Sequence, residues 1–325
     1  MKNRVIIIVL SFLLGCKVER IEHTFVKPEI LNDSIYSKMP GNLLVCDEEL
    51  IWSDPFSKTT YLHVIDSQTG REIGTMGNIG LGPKEFITPL LSSFVRDRHL
   101  YVYDVNSSKK AFFSLDSFLL GKDYHIDIQM NSFYEGMLKN NFSVKDTKDE
   151  NPYYFEAITD GDTLFFGNYP IANEMFHFGG NMAYDPKKGY LVYALWNFPY
   201  IALYQKEERN FRLLWELKDI PDYYISENRI YLENEKRGAR GIVLLKDYIV
   251  TIERDRSIDK TDESKVGRNF SKLPHTLYVY DYTSKLIKII NFQMPIVRIG
   301  GEPKTNTIYA IVVNPEFTLV KCDII

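Results

Sequence analysis

A short strand-like segment recurs four times along this chain, and its recurrence limits the folds that the chain can adopt. The four copies share an alternating apolar pattern, and three of them end in Asp. A period of two residues, with turn residues on either side, is typical of β-strands rather than helices. The copies are YLHVID at 61–66, YIALYQ at 200–205, TLYVYD at 276–281 and TLVKCD at 318–323.

Further apolar segments precede these copies, so the pattern extends to whole units. YLVYAL, YIVTIE and TIYAIVV stand where a second strand of a unit is expected. Units of four strands that repeat roughly every 40–50 residues are typical of β-propellers. We therefore predict an all-β fold, a six-bladed β-propeller of four-stranded antiparallel blades. The six predicted units are residues 43–76, 92–129, 133–169, 181–217, 242–292 and 296–323.

The last predicted unit has only three strands. A strand from residues 20–36 could complete it and so close the propeller with both ends of the chain. Closure removes the unpaired edges that an open fan of sheets would expose to other chains. We predict that this N-terminal strand completes the last blade.

The N-terminus has the features of a lipoprotein signal. Lys2 and Arg4 precede an apolar run at 5–14, which is too short to span a bilayer, and Leu13-Leu14-Gly15-Cys16 follows. This order resembles a bacterial lipobox, in which the signal is removed before a lipid-modified cysteine; an ordinary signal peptide or a buried strand are the alternatives. Removing the two basic residues would change the net charge from −4 to −4 − 2 = −6. The predicted division is a signal peptide at 1–15, a tether and closing strand at 16–40 and the propeller at 41–325.

Two cysteines remain besides Cys16. Cys46 and Cys322 both lie in predicted strands. An exported protein can form a disulfide bond, but the predicted architecture places these two residues in different sheets. Two separate buried thiols are therefore the favoured alternative.

The glycine-rich connection at 77–86 follows the first predicted hairpin. Gly77, Gly80 and Gly82 precede Pro83, and three nearby glycines suit either a phosphate site or a tight crossing between sheets. The phosphate site is disfavoured because no helix and no Gly-Lys-Ser/Thr sequence follows to hold an anion. We predict a structural crossing.

Three stretches resemble the TolB-like six-bladed β-propeller lipoproteins. Residues 276–324 are similar to the C-terminal signature of that family. The segment GNIGLGPKEF at 77–86 is similar to the segment that ends the first blade in that family, and a sequence that resembles a lipobox precedes both. The chain departs from the pattern at Asn78 and Ile79, and at the turn 283–285. The resemblance implies an exported, membrane-anchored propeller, and it supplies no catalytic residues.

The chain contains none of the common catalytic or metal motifs. His-Glu-x-x-His, Gly-x-Ser-x-Gly, Cys-x-x-Cys and EF-hand loops are all missing, and the six histidines are scattered. Asp104 and Asp281 end predicted strands, where Asp more often forms a turn than acts as an acid. No cofactor, metal or catalytic residue is predicted. Since the net charge is −4 and no basic stripe stands out, a nucleic-acid partner is not expected.

Aromatic loops are predicted to share one face of the propeller. The loop between the second and third strands of a unit emerges on the side where one blade crosses to the next. Aromatic side chains on such loops suit the binding of sugars or peptides, although they could equally cover the ends of the blades. The glycine-rich connection and the charged insertion at 254–272 belong to the same side. The candidate ligand-binding residues are Trp196, Phe198, His177, Phe178, Tyr223 and Tyr224.

These observations predict a lipid-anchored propeller of the bacterial cell envelope, on the outer membrane, that binds a glycan, a peptide or a protein partner without catalysis. The membrane partner would be reached through the lipid on Cys16. The alternative is an envelope hydrolase or lyase whose acidic residues converge on the central channel.

Overall fold

The computed structural model describes residues 21–107, 109–128, 137–140, 153–159, 162–171, 179–208, 210–226, 229–232, 237–261 and 269–324. Within them the fold is all-β apart from short helical turns, as predicted, and its sheets are mainly antiparallel. Cys16, His177 and Phe178 lie outside the described residues. Two strands come first in the chain: β1 (Glu22–Phe25) and β2 (Glu29–Ile35).

Blade 1 contains the hairpin that the sequence indicates most clearly. The carboxylate of Asp66 accepts hydrogen bonds from the N–H groups of Gln68 and Thr69 at 3.1 and 2.7 Å, and Gly70 has a φ of +68°. These contacts form the tight turn between the third and fourth strands. The strands are β3 (Leu43–Cys46), β4 (Glu49–Ser53), β5 (Thr60–Asp66) and β6 (Glu72–Ile79), with the short β7 (Glu85–Phe86) parallel to β6.

Blade 2 has one helical turn between its two outer strands. The side chain of Ser114 accepts a hydrogen bond from the N–H of Ser117 and so begins this helix, α1 (Leu115–Leu119). Asp104, at the end of a strand, accepts four backbone N–H groups and so forms a turn, as predicted. The strands are β8 (Pro89–Arg96), β9 (His99–Asp104), β10 (Lys110–Ser114) and β11 (His125–Asp127).

A three-stranded sheet follows, and blade 3 comes next. The small sheet contains β12 (Met137–Asn140), β13 (Phe155–Thr159) and β14 (Asp162–Phe166). Blade 3 contains β15 (Gly180–Asp185), β16 (Tyr190–Leu195), β17 (Tyr200–Glu207) and β18 (Asn210–Lys218). A separate two-stranded hairpin comes after it, formed by β19 (Tyr223–Ser226) and β20 (Arg229–Leu232).

Blades 4 and 5 complete the molecule. Blade 4 contains β21 (Ile242–Leu244), β22 (Tyr248–Glu253), β23 (Thr276–Asp281) and β24 (Leu286–Asn291), with a 3-10 turn at Phe270–Lys272 before β23. The carboxylate of Asp281 binds the N–H groups of Thr283 and Lys285, so this residue is also a turn former. Blade 5 contains β25 (Ile296–Gly300), β26 (Thr307–Val313) and β27 (Phe317–Asp323).

The innermost strands of the five blades form a closed ring. β3 contacts β8, β8 contacts β15, β15 contacts β21, β21 contacts β25, and β25 returns to β3. Five blades therefore surround the central channel, so the predicted number of six was wrong, whereas sheets of four to five strands agree with the predicted blades.

The third predicted unit accounts for the difference. Its described part is the three-stranded sheet β12–β14, which lies against the outer strand of blade 3 instead of entering the ring. Phe155 and Phe166 are buried there against blade 3, where the ring of Phe166 stacks on that of Phe211 at 4.5 Å. Because β8 and β15 touch directly, no space for a sixth blade remains between them.

The N-terminal strands bind to the last two blades. β2 pairs antiparallel with β27 and is the fourth strand of blade 5, while β1 pairs parallel with β24 as a fifth strand of blade 4. Ile35 at the end of β2 is buried in a core shared with blades 1 and 5. These contacts anchor the N-terminal strand in the apolar core.

The glycine-rich connection is a crossing between blades 1 and 2. Gly77 has a φ of +71°, and a Cβ atom there would lie 2.4 Å from the ring of Tyr61. The N–H of Gly80 donates to the carbonyl of Phe86 at 3.0 Å, and the N–H of Gly82 donates to Glu85 Oε2 at 2.7 Å. These N–H groups are thus occupied within the loop, which is the structural use that the sequence favours over a phosphate site.

Cys46 and Cys322 are free and buried, in blades 1 and 5 respectively. The two separate thiols agree with the favoured alternative.

Candidate ligand-binding site at the channel mouth

A cavity of about 510 Å³ lies at one end of the central channel. All five blades contribute to it through the ends of their innermost strands and the turns that follow. Concave sites of this size suit small ligands or the end of a chain. We call it the channel-mouth cavity.

Apolar side chains form the inner wall of this cavity. They come from the innermost strands, because a strand buried in the ring carries aliphatic residues on both of its faces. The apolar lining residues are Leu43, Leu44, Val45, Val95, Val243 and Leu244.

Charged side chains of three blades form an ion-pair network at the rim. Asp47 of blade 1 pairs with Arg98 of blade 2 at 2.7 Å and with Lys304 of blade 5. Lys304 also lies 3.7 Å from Glu302, and Arg98 also binds Glu49 at 3.0 Å. One cation therefore lies between two carboxylates at the entrance, and the network connects the first, second and fifth blades.

Two of the rim turns have left-handed backbone conformations at residues other than glycine. Cys46 pairs with Glu49, and Arg96 with His99, so only two residues form each turn. Asp47 has a φ of +57°, Asp97 of +46° and Arg98 of +57°. Asn-Gly is the usual sequence for such turns, because L-residues with a side chain disfavour this region. An arginine held there by three carboxylates (Asp47, Glu49 and Asp116) indicates a position selected for its side chain.

Asp185 of blade 3 has a buried carboxylate oxygen with no partner. Its Oδ1 atom accepts the N–H groups of Lys187 and Lys188 at 2.9 and 3.2 Å. Its Oδ2 atom makes no hydrogen bond within the described residues, although Asp185 is only 2% exposed. A buried unsatisfied oxygen is costly, so its presence in the lining indicates a place where a ligand or water can donate a hydrogen bond.

Two groups in the cavity have altered acidities. Burial raises the pKa of the Glu302 carboxyl, and the charge of Lys187 opposes that shift. Burial also raises the pKa of the Cys46 thiol to about 11, although Arg98 partly opposes it. Cys46 is therefore a neutral thiol at pH 7 and a poor nucleophile.

The arrangement can bind a ligand that has both apolar and charged parts. Four carboxylates and four basic side chains border the cavity, so neither sign of charge dominates. Within the described ranges, no group of three or more His, Cys, Asp or Glu side chains could hold a metal ion. The eight charged residues are Asp47, Asp97, Asp185, Glu302, Arg98, Lys187, Lys188 and Lys304.

The aromatic residues singled out in the sequence lie elsewhere. Trp196 is 47% exposed in the loop between β16 and β17, whereas Phe198 in the same loop is completely buried in the core of blade 3. Phe198 therefore packs within the core in this structure, which favours the covering role over the binding role for this residue. Tyr223 and Tyr224 are exposed on β19, where the ring of Tyr224 stacks on that of Tyr231 at 5.1 Å. Among the described aromatic residues, no ring contact joins Trp196 to either tyrosine.

Sequence reasoning missed the rim because its residues are in very short turns. Asp97-Arg98 and Asp47-Glu48 read as ordinary connections between strands. The available signal was the lack of Gly or Asn in turns that favour them. The turns lie close together only because the blades form a closed ring. Local sequence patterns do not predict how the ring closes.

Comparison with known proteins supports the fold. No family model matches the chain, and no curated protein matches it. Among solved structures, a Bacteroides fragilis protein named as exported is 14% identical, with 89% of this chain and 86% of that chain covered at a TM-score of 0.56. A DUF4221 family member from Bacteroides vulgatus is 11% identical over 92% of this chain and 97% of that one, with a TM-score of 0.48. Regucalcin from Agrobacterium tumefaciens, named as calcium-binding, is 9% identical over 92% and 94%, with a TM-score of 0.48.

The ring of blades and the first of these likenesses define the class: the chain is a β-propeller. The resemblance to the TolB-like lipoproteins holds for this architecture, while the blade number differs. In the described part of the chain, no helix is long and apolar enough to cross a membrane.

Proposed function

We propose that this protein is an exported, lipid-anchored β-propeller of the cell envelope that binds a peptide-like ligand at the channel-mouth cavity without catalysis. The single observation that carries the proposal is the cavity itself, about 510 Å³ in volume, with an apolar wall and a charged rim. The turns of the rim have costly backbone conformations, which a purely structural connection does not need.

The composition of the lining favours a peptide over a glycan. Sugars bind on exposed aromatic rings, and Tyr184 is the one aromatic residue among those that line the cavity. A peptide offers apolar side chains for the aliphatic wall, together with N–H groups and charged termini for the rim. The ammonium group of Lys187 is exposed and suits a carboxylate of the ligand.

The sequence at residues 13–16 supports the anchor, and the structural neighbour named as exported supports export alone. We place the lipid on Cys16, so the first described strand, at Glu22–Phe25, would begin six residues after the anchor. This distance would hold the propeller within about 20 Å of the lipid surface. The pairing of β2 with β27 supports closure of the ring by the N-terminal strand.

Ligand screening by thermal shift tests the binding function. The purified protein is mixed with peptide, glycan and peptidoglycan-fragment libraries, and a ligand at 100 times its Kd should add about 2.7 kcal/mol of stability. We expect a peptide hit whose binding weakens in Lys187→Ala and persists in Lys58→Ala, which changes an exposed lysine on the opposite face. Binding that survives Lys187→Ala unchanged, or hits with glycans alone, would contradict the proposal.

A second candidate is an envelope hydrolase or lyase. The observation in its favour is that Asp47, Asp97, Asp185 and Glu302 all line the cavity, and that burial raises the pKa of Glu302 towards the range of a general acid. Turnover of a peptide or glycan hit, abolished by Glu302→Gln, would select this candidate over simple binding.

A further inference from the structure

A second cavity opens between blades 3 and 4, on the face where the chain crosses from blade to blade. Its volume is about 270 Å³. Tyr200 and Ile201 line it from blade 3, and Glu253 and Tyr280 line it from blade 4. The channel-mouth cavity shares none of its lining residues with this one. We call it the interblade cavity.

Glu253 lies at the end of an otherwise apolar interface. It is the last residue of β22, and the neighbouring interface between blades 3 and 4 contains Ile201, Leu244 and Ile249. Glu253 Oε1 accepts hydrogen bonds from the hydroxyls of Thr251 at 2.5 Å and Tyr280 at 3.3 Å. These two donors fix the carboxylate against the wall of the cavity.

The carboxylate has no cationic partner. Lys218 and Asp219 line the same cavity, but within the described residues no ion pair joins Glu253 to Lys218 or to another basic side chain. Burial raises the pKa of Glu253, and the two hydroxyl donors oppose that shift only in part. A partly desolvated carboxylate is unfavourable unless a cation or further donors compensate it.

The walls beside Glu253 suit an organic cation. Tyr200 and Tyr280 are both buried and both line the cavity, and the faces of tyrosine rings attract cations. The hydroxyl of Tyr200 already donates to Glu216 at 3.1 Å, so its ring is held in place. The described residues offer no cluster of ligands for a metal ion here. Among the charged residues of the lining, Glu253 and Asp219 outnumber Lys218, so a cation is favoured over an anion.

We propose that the interblade cavity binds a small organic cation, a primary or quaternary ammonium, with Glu253 as the counter-charge and the two tyrosines as walls. The volume of about 270 Å³ admits a ligand of a few carbon atoms. This site is independent of the function proposed for the channel mouth, because the two cavities share no residue.

Calorimetric titration of the purified protein with n-butylammonium chloride and tetramethylammonium chloride at pH 8 tests the site. We expect saturable binding of at least one of the two probes, weakened at least tenfold in Glu253→Gln. Glu316→Gln is the matched control, since Glu316 is an exposed carboxylate in a turn on the same face. The affinity of the wild-type protein should fall as the pH is lowered, because protonation of Glu253 removes its charge, and this dependence should vanish in Glu253→Gln.

Leu217→Trp provides a second test in case Glu253→Gln alters the fold. Leu217 lines the cavity, so the larger ring should fill it and abolish binding while Glu253 remains. The melting temperature of each variant is measured beside its affinity. The proposal is overturned if neither probe binds the wild-type protein at concentrations up to ~20 mM, which is a limit for weak binding. It is also overturned if Glu253→Gln binds the probes as tightly as the wild type does, or if Glu316→Gln loses binding equally.

Discussion

Arg98 of blade 2 donates a hydrogen bond from Nη1 to Asp47 Oδ2 of blade 1 at 2.7 Å, and both residues occupy left-handed positions in two-residue turns. The contact connects two consecutive blades through residues that are 51 positions apart in the chain. It also places a fixed positive charge at the entrance of the central channel. The channel-mouth cavity and the interface between the two blades therefore share this side chain.

Removing this side chain should destabilise the protein. Arg98→Ala leaves Glu49, whose side chain is only 12% exposed, without its cation, and a loss of about 1–3 kcal/mol is expected. Arg98→Gly removes the same ion pairs but accepts the left-handed backbone, so it should be about 1–2 kcal/mol more stable than Arg98→Ala. Urea unfolding of both variants measures the difference. Equal stabilities would show that the backbone of Arg98 is not strained.

Deleting residues 17–40 should cost several kcal/mol of stability. The deletion removes β2 from the edge of β27 and takes Ile35 out of the core, and the loss of one such side chain alone costs about 2–5 kcal/mol. Urea unfolding measures the loss. Tyr36→Ala is the control, since Tyr36 is 87% exposed and its truncation should leave stability unchanged. An unaltered midpoint in the deleted protein would refute closure by the N-terminal strand.

Phe86→Ala should destabilise blade 1 by about 3–5 kcal/mol. Phe86 is 1% exposed and meets the rings of Tyr61 and Phe113 edge to face, at 5.8 and 6.0 Å between ring centroids. Leu81→Ala, in the same connection but 83% exposed, should have little effect. Thermal melting compares the two variants. A small effect of Phe86→Ala would mean that the crossing is held by its hydrogen bonds rather than by its aromatic anchor.

Asp104 should contribute stability that is lost in acid. Burial alone would raise the pKa of its carboxyl, but the N–H groups of Asn106, Ile87, Ser107 and Thr88 together hold that pKa below the ordinary value of 3.8. A carboxyl with a lowered pKa in the folded state contributes its full stability above pH 3.8 and loses it as the pH falls further. Asp104→Asn should therefore lower the melting temperature at pH 7. Below about pH 4, where carboxyl groups titrate, the melting temperature of this variant should fall less steeply with decreasing pH than that of the wild type. A decline as steep as in the wild type would assign the acid sensitivity to other carboxyls.

Cys16→Ala should release the protein from membranes. If Cys16 carries the lipid, the variant lacks the apolar chains that hold the propeller at the bilayer. Fractionation of expressing cells after a carbonate wash measures the change, with Cys46→Ala as a control because Cys46 is buried in blade 1. Retention of Cys16→Ala in the membrane fraction would rule out this anchor.

The sequence predicted the strands well where a unit contains a clear alternation of apolar and polar residues bounded by turn residues. The alternating segments at 200–205 and 276–281 fall inside β17 and β23, and turns at Asp104 and Asp281 are formed as their residue types suggest. The same logic failed for residues 133–169, because apolar alternation does not say what a sheet packs against. Phe155 and Phe166 are as apolar as any residue of a blade, and only their contacts with blade 3 place their sheet outside the ring.

The site was harder to predict than the fold. An aromatic residue in a predicted loop, such as Trp196, is an obvious candidate for ligand binding in a sequence. Asp47, Arg98 and Lys304 have no such feature, and they form ion pairs only because ring closure brings them together. Those three residues come from three blades, and Lys304 follows Asp47 by more than half the chain. Their proximity depends on the number of blades, which the sequence pattern overestimated.

The position of β2 has a consequence for how the chain is made. A ribosome produces β2 about 280 residues before its partner β27, the last of the described strands. β2 must wait without this partner until β27 has left the ribosome, because contacts between distant segments form late. A chain that stops short of β27 would keep an open edge on β2, where proteases could recognise it. Pairing of β2 with β27 thus requires that translation has passed Asp323.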